Sequence, residues 1–228
     1  MLNRRDFLLS SFATAVPEEQ KRNLPYASPE AQRDSIKFAQ EQVNPILGRH
    51  ALDPKEFGSI SSRLRRLSEM SSQNKLKYEA VAGLNPFDPS SVAKVDFDSE
   101  QNKIRLLLFI PKIQKDKTDF EWSGKSKNFE EYIVLTVVHE MIHVELLESN
   151  PEYLRQLKLG WVDRNQMLKN EAEAWGKTII EVVRPMLTVK RFVPQVMVEA
   201  SALLKTYGDN ISDSRWIQGF SNYHKEHK

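Results

Sequence analysis

The sequence predicts an α+β fold: a small β-sheet, built on a hairpin at about residues 92–110, packed on one long apolar helix and followed by a mainly helical C-terminal half. Two observations carry this. Val92-Ala-Lys-Val-Asp-Phe97 alternates in polarity and Lys103-Ile-Arg-Leu-Leu-Leu-Phe-Ile110 is strand-like, with Asp98-Ser-Glu-Gln-Asn102 supplying turn chemistry between them. Beyond them, Phe129 to Glu148 contains neither Gly nor Pro and is apolar on nearly every side, as a buried helix must be.

The elements follow in order. Met1–Val16 stands apart. Arg4-Arg5-Asp-Phe-Leu, an apolar region from Phe7 to Val16 and the small-residue site Ala13-Thr-Ala15 resemble a twin-arginine export signal. The resemblance implies a periplasmic or secreted protein; without a working signal, a cytoplasmic one is expected. Residues 17–27 hold Pro17 and Pro25 and read as a linker, leaving 28–228 as a single domain. A first helix is expected from Ser28 to about Val43, with Pro29 at its first position and Pro45 and Gly48 ending it. A second covers roughly Ser59 to Ser71, and Asn85-Pro-Phe-Asp-Pro89 is a turn. Pro111 stops the hairpin's second strand. The polar stretch Lys112–Lys127, with Trp122-Ser-Gly124, reads as a lid, a rim or a loop. Asn128 suits the N-cap of the long helix, with Glu130 and Glu131 in its first turn, and Asn150-Pro151 ends it. Another helix is expected from about Asp163 to Val183, and further ones at about Pro194–Tyr207 and Asp213–Tyr223.

Composition excludes several functions. The chain is 40% hydrophobic and 28% charged, ordinary for a globular protein. A net charge of +2 argues for neither nucleic acid nor a membrane surface as partner. The basic clusters Arg63-Leu-Arg-Arg66 and Lys112-Ile-Gln-Lys-Asp-Lys117 read as solvated faces. No apolar run is long enough to span a membrane. The absence of cysteine removes thiol nucleophiles and cysteine-based zinc fingers.

The chemistry concentrates in His139-Glu140-Met141-Ile142-His143. At 3.6 residues per turn, the two histidines project from one face of the long helix and can bind a single ion at about 2.0–2.1 Å each. Glu140 is rotated from them by about 100°, where a carboxylate can take a proton from a water without competing for the ion. In an apolar helix these three polar side chains need partners, and metal coordination is one way to supply them. Catalytic zinc usually takes a third protein ligand. The best source is Lys169-Asn-Glu-Ala-Glu-Ala-Trp-Gly176, whose small alanines would let its helix approach another closely. Glu171 and Glu173 lie about 200° apart, so only one of them can face the metal.

At this point the chain resembles the zincin metallopeptidases, and more narrowly their gluzincin-like branch, over roughly residues 100–185. The resemblance implies a zincin-like domain in which a second helix supplies a Glu ligand beginning an E-x-x-A-D pattern. Glu171-Ala-Glu-Ala-Trp175 matches its Glu and Ala, while Trp175 replaces the Asp and leaves one histidine's outer partner unassigned. Glu171 is favoured by this pattern; Glu173, His224 and His227 are the alternatives. His50 reads as a surface or capping residue. The metzincin extension is absent, since Leu146 and Ser149 stand where Gly and His would be required, and deformylases would need a cysteine.

The resemblance implies hydrolysis of a peptide or protein substrate with one Zn2+ held by His139, His143 and Glu171, and Glu140 as general base. It also implies an edge strand that binds extended substrate through its backbone, for which Leu106–Ile110 is the candidate, though an ordinary core strand is the competing reading. Tyr153, Arg191, Tyr207 and His224 are candidate oxyanion donors. Two other functions stay open: a non-catalytic zinc-binding scaffold with the same shell, and a helical interaction protein in which the motif is accidental.

Overall fold

The structure, a computed structural model, describes residues 27–53, 58–86, 89, 91–124, 126–159 and 164–183. The export-like segment, most of the linker and the helices expected at 194–207 and 213–223 lie outside the described residues. Within them the chain is α+β: one three-stranded mixed sheet among helices. No described helix is long and apolar enough to cross a membrane.

Helix α1 (Pro29–Phe38) starts as the sequence predicts, with Ser28 Oγ accepting from Ala31 N–H at 3.1 Å. It does not end at Pro45. A π-helical turn (Ala39–Val43), closed by the Asn44 N–H reaching back to the Ala39 carbonyl, leads into α2 (Asn44–Leu52). Pro45 then falls in the first turn of the resumed helix, a position that proline tolerates. Helix α3 (Gly58–Ser72) buries Ile60, Leu64, Leu67 and Met70 at helical spacing.

Strand β1 (Leu76–Val81) was not evident in the sequence. It pairs parallel with β3 (Lys103–Phe109), and β3 pairs antiparallel with β2 (Ala93–Asp98), so the order is β1-β3-β2. The hairpin is as expected, and Asn102 turns it with a left-handed φ of 51°. The substrate-strand candidate is not an edge. Leu106–Phe109 lies in the central strand, bonded on both sides, and Ile110 already begins the next helix. Beside the long helix lies β2, which among the described residues has no second strand partner. Leu76, Tyr78 and Ala80, Ile104, Leu106 and Leu108, and Ala93, Val95 and Phe97 share the face that joins the core.

The stretch read as a lid or loop is helix α4 (Ile110–Trp122). Its outer surface is so rich in charge that its narrow apolar seam is easily missed. Ile110 and Ile113 are fully buried, and Phe120 packs on Phe129 and Tyr132 with ring centroids 6.1 and 5.6 Å apart. Helix α5 (Ser126–Ser149) is the long apolar helix, starting slightly before the expected cap. Pro151 ends it but opens another, α6 (Pro151–Lys158), in which Asn150 accepts from Tyr153 N–H at 3.0 Å. Helix α7 (Arg164–Thr178) runs on through a second π-helical turn, Ile179–Val183. Its small residues do allow close approach: Ala172 and Ala174 are wholly buried, and Ala174 packs on Ile142 and Leu146 of α5.

Candidate metal centre

Helix periodicity places His139 and His143 on one face of α5, and the alanine-lined contact brings α7 across that face. The two Nε2 atoms stand 3.2 Å apart. Glu171 Oε2 lies 3.1 Å from His143 Nε2, and Glu171 Oε1 lies 3.6 Å from His139 Nε2. Two donors that each sit about 2.1 Å from one ion are at most about 4.2 Å apart. The three separations satisfy that limit when Glu171 uses both oxygens; with one donor atom per residue the three lie within 4.8 Å of one another, so the residues could hold a single divalent cation after a small closure. Among the described residues this is the one group of three or more such donors close enough to hold an ion. Glu173 is partly buried on the same helix and does not join it. His50 lies on α2, and Arg191, Tyr207, His224 and His227 lie outside the described residues.

Hydrogen bonds behind the rings decide which nitrogens face the cluster. Thr178 donates its hydroxyl proton to the Ala174 carbonyl at 2.8 Å. Its oxygen is then left to accept from His139 Nδ1–H at 2.9 Å. Asn170 Oδ1 accepts from His143 Nδ1–H at 2.7 Å. Each ring therefore turns its Nε2 lone pair toward Glu171 whenever it is neutral, the arrangement a metal ligand requires. Both partners come from α7, and neither is a carboxylate.

Trp175 occupies the position where the family pattern has Asp, and it plays a different part. Its indole N–H donates to Glu171 Oε1 at 2.8 Å, and its ring lies against His139 with centroids 4.1 Å apart. It thus orients one candidate ligand and covers another.

Electrostatics agree with this geometry. Burial works against a charge on His143, but the Glu171 carboxylate beside it prevails, with help from Glu140 and Asn170, and its pKa rises to about 9. Burial likewise opposes ionisation of Glu171, yet the charges and hydrogen bonds of the two histidines hold it well below the usual carboxylate range. Without a metal, the cluster is a protonated imidazole facing a carboxylate. A divalent cation would take the proton's place.

Glu140 is buried. Its Oε2 accepts the backbone N–H of Val95 on β2 at 2.9 Å. The carboxylate beside the first histidine is therefore tied to the open side of the sheet. Tyr153 on α6 is the one described residue among the oxyanion candidates. It is buried, and burial first, then the charge of Glu171, pushes its phenol up to about 12.

Sequence reasoning missed Thr178, Asn170 and the roles of Trp175 and Val95. A hydroxyl seven residues after Glu171 carries no signal of its own, because only the crossing of α5 and α7 gives it a partner. Comparison of the chain with known protein families, with curated proteins and with solved structures finds no match.

Proposed function

We propose that this chain is a zinc-dependent metallopeptidase of zincin-like architecture, hydrolysing peptide bonds. The observation that carries the reading is the convergence of His139, His143 and Glu171 from two helices, with Glu140 buried alongside. Two imidazoles and a carboxylate are the ligand set of several catalytic zinc sites and leave one coordination position open. When bound, zinc would acidify water toward a pKa of about 7 and polarise a carbonyl. The chain's own residues do the rest. His139, His143 and Glu171 hold the ion, with Thr178, Asn170 and Trp175 fixing their directions. Glu140 accepts the proton of the attacking water and returns it to the leaving amine. The open side of β2 offers backbone groups to an extended peptide, which suits a substrate read as a strand. Export through Met1–Val16 belongs to the same reading.

A second reading keeps the metal and drops the catalysis. It is favoured by one contact: Glu140 Oε2 is already engaged by Val95 N–H. Under it, the centre fastens α5 to α7 in a scaffold. Elemental analysis of the natively purified chain should find one zinc per molecule. The Glu140→Gln variant should keep that zinc and lose at least about 100-fold in peptide hydrolysis. Stoichiometric zinc with no hydrolysis of a broad peptide library by the unaltered chain supports the scaffold. Zinc-free protein whose melting ignores chelators removes both readings.

A further inference from the structure

Arg63, expected on a solvated face, is only 8% exposed. Its guanidinium spans two helices of the candidate metal centre. Nε and Nη2 donate to the two carboxylate oxygens of Glu145 at 2.9 and 3.0 Å, a forked pair. Nη2 also meets Glu181. Ser59, one turn earlier on α3, donates its hydroxyl to the Glu181 backbone carbonyl. Glu145 stands two residues beyond His143 on α5. Glu181 stands three residues beyond Thr178, on the π-helical turn that continues α7.

These positions give Arg63 a mechanical relation to the metal ligands. The α7 rod touches α5 through Ala174 on Ile142 and Leu146. On one side of that contact it carries Glu171. On the other it carries Thr178, bonded to His139, and then Glu181, held by Arg63. Small residues set how close the helices come, but they do not set the angle at which the rod crosses. The Arg63 clasp holds the far end of the rod, and so determines where its near end lies. Without the guanidinium, Glu145 and Glu181 would face each other as like charges and press the rod away from α5.

We propose that Arg63 is a positioning residue of the metal centre: by clasping Glu145 and Glu181 it fixes the crossing of α7 over α5 that brings Glu171 to His139 and His143. The proposal rests on the metal reading above. Arginine suits the task because its planar fork can serve two carboxylates at once, and a lysine ammonium cannot reproduce that geometry.

The test uses the full chain, zinc titration and the visible spectrum of the cobalt(II)-substituted protein. The decisive variant is Arg63→Met/Glu145→Gln/Glu181→Gln. It removes the clasp together with the charges that would otherwise be stranded, so folding is not the issue being measured. It should keep its fold by circular dichroism, bind zinc roughly 10–100-fold more weakly, as the loss of an outer support does, and show altered cobalt bands. A folded triple variant with wild-type zinc affinity and an unchanged cobalt spectrum overturns the proposal. Should the triple variant not fold, Arg63→Lys decides in the same way, since it keeps the charge but not the fork. An unaltered chain that takes up no zinc defeats the metal reading itself, before any variant is made, and this proposal with it.

Discussion

Two charge clusters lie between α5 and α7, and they differ in what supplies the positive charge. In one, Arg63 faces Glu145 and Glu181. In the other, Glu171 faces His139 and His143. A guanidinium keeps its proton at any pH a protein survives, so the first cluster is permanent. Burial works against the charge on Arg63, but the two carboxylates hold its pKa above the ordinary value. Imidazole gains or loses its proton near neutrality, so the second cluster is conditional: it is complete only with a proton or with an ion. The fold contains one fixed fastening and one exchangeable one between the same helices.

The sharpest way to break this comparison is Glu171→Gln. If the second cluster is a metal site, zinc affinity should fall by more than roughly 100-fold, beyond the effect of an outer support. The metal-free melting temperature should fall only by what the protonated His143–Glu171 pair contributes, because Arg63 still holds the helices. A large loss of stability with zinc affinity retained would mean that Glu171 is a structural ion-pair partner. Isothermal titration and scanning calorimetry report the two quantities separately.

Thr178→Val and Asn170→Ala remove the acceptors behind the rings. Each should weaken zinc roughly 10–100-fold. Thr178→Val keeps the side-chain shape, so unchanged affinity in that variant would show that the His139 tautomer needs no help from α7.

The smallest expected effect is on the pH dependence of the metal-stripped protein. His143 has a raised pKa, so its contribution to stability is full below its ordinary 6.5 and is lost as pH rises through about 9. Glu171 has a depressed pKa, so its contribution is present above its ordinary 4.5 and is lost as pH falls through its low folded value. The melting temperature of the stripped protein should therefore be highest between about 4.5 and 6.5 and decline toward pH 9. Zinc should flatten the alkaline decline, since the ion replaces the proton. Arg63→Lys should leave that decline in place, because the first cluster does not titrate there. A stripped protein equally stable at pH 6 and pH 9.5 contradicts the protonated-pair description of the second cluster.

The two clusters also differ in how far the sequence betrays them. His139, Glu140 and His143 are legible because their geometry is local: one helix and its period place them, and twenty residues suffice to see it. Glu171 needed a second helix and a family pattern, and its preference over Glu173 came from the pattern. Arg63 was not legible. Its partners stand 82 and 118 residues away in sequence, and an Arg-Leu-Arg-Arg run is ordinarily solvated. The same distinction runs through the fold. The β2–β3 hairpin is a local object with its own turn, whereas β1 pairs directly with β3, skipping β2 in sequence, and is specified only by tertiary pairing. Leu76-Lys-Tyr-Glu-Ala-Val81 has the alternation of a half-buried strand, but it is short and no hairpin turn points to it. The helix continuing through Pro45 was hidden because a π-helical turn is too rare to expect beforehand.

The bond from Val95 to Glu140 makes one oxygen answerable to two masters. Under the proposed peptidase, a strand that aligned itself along that margin and claimed the Val95 amide would also untie the carboxylate, so that docking and arming would become a single event.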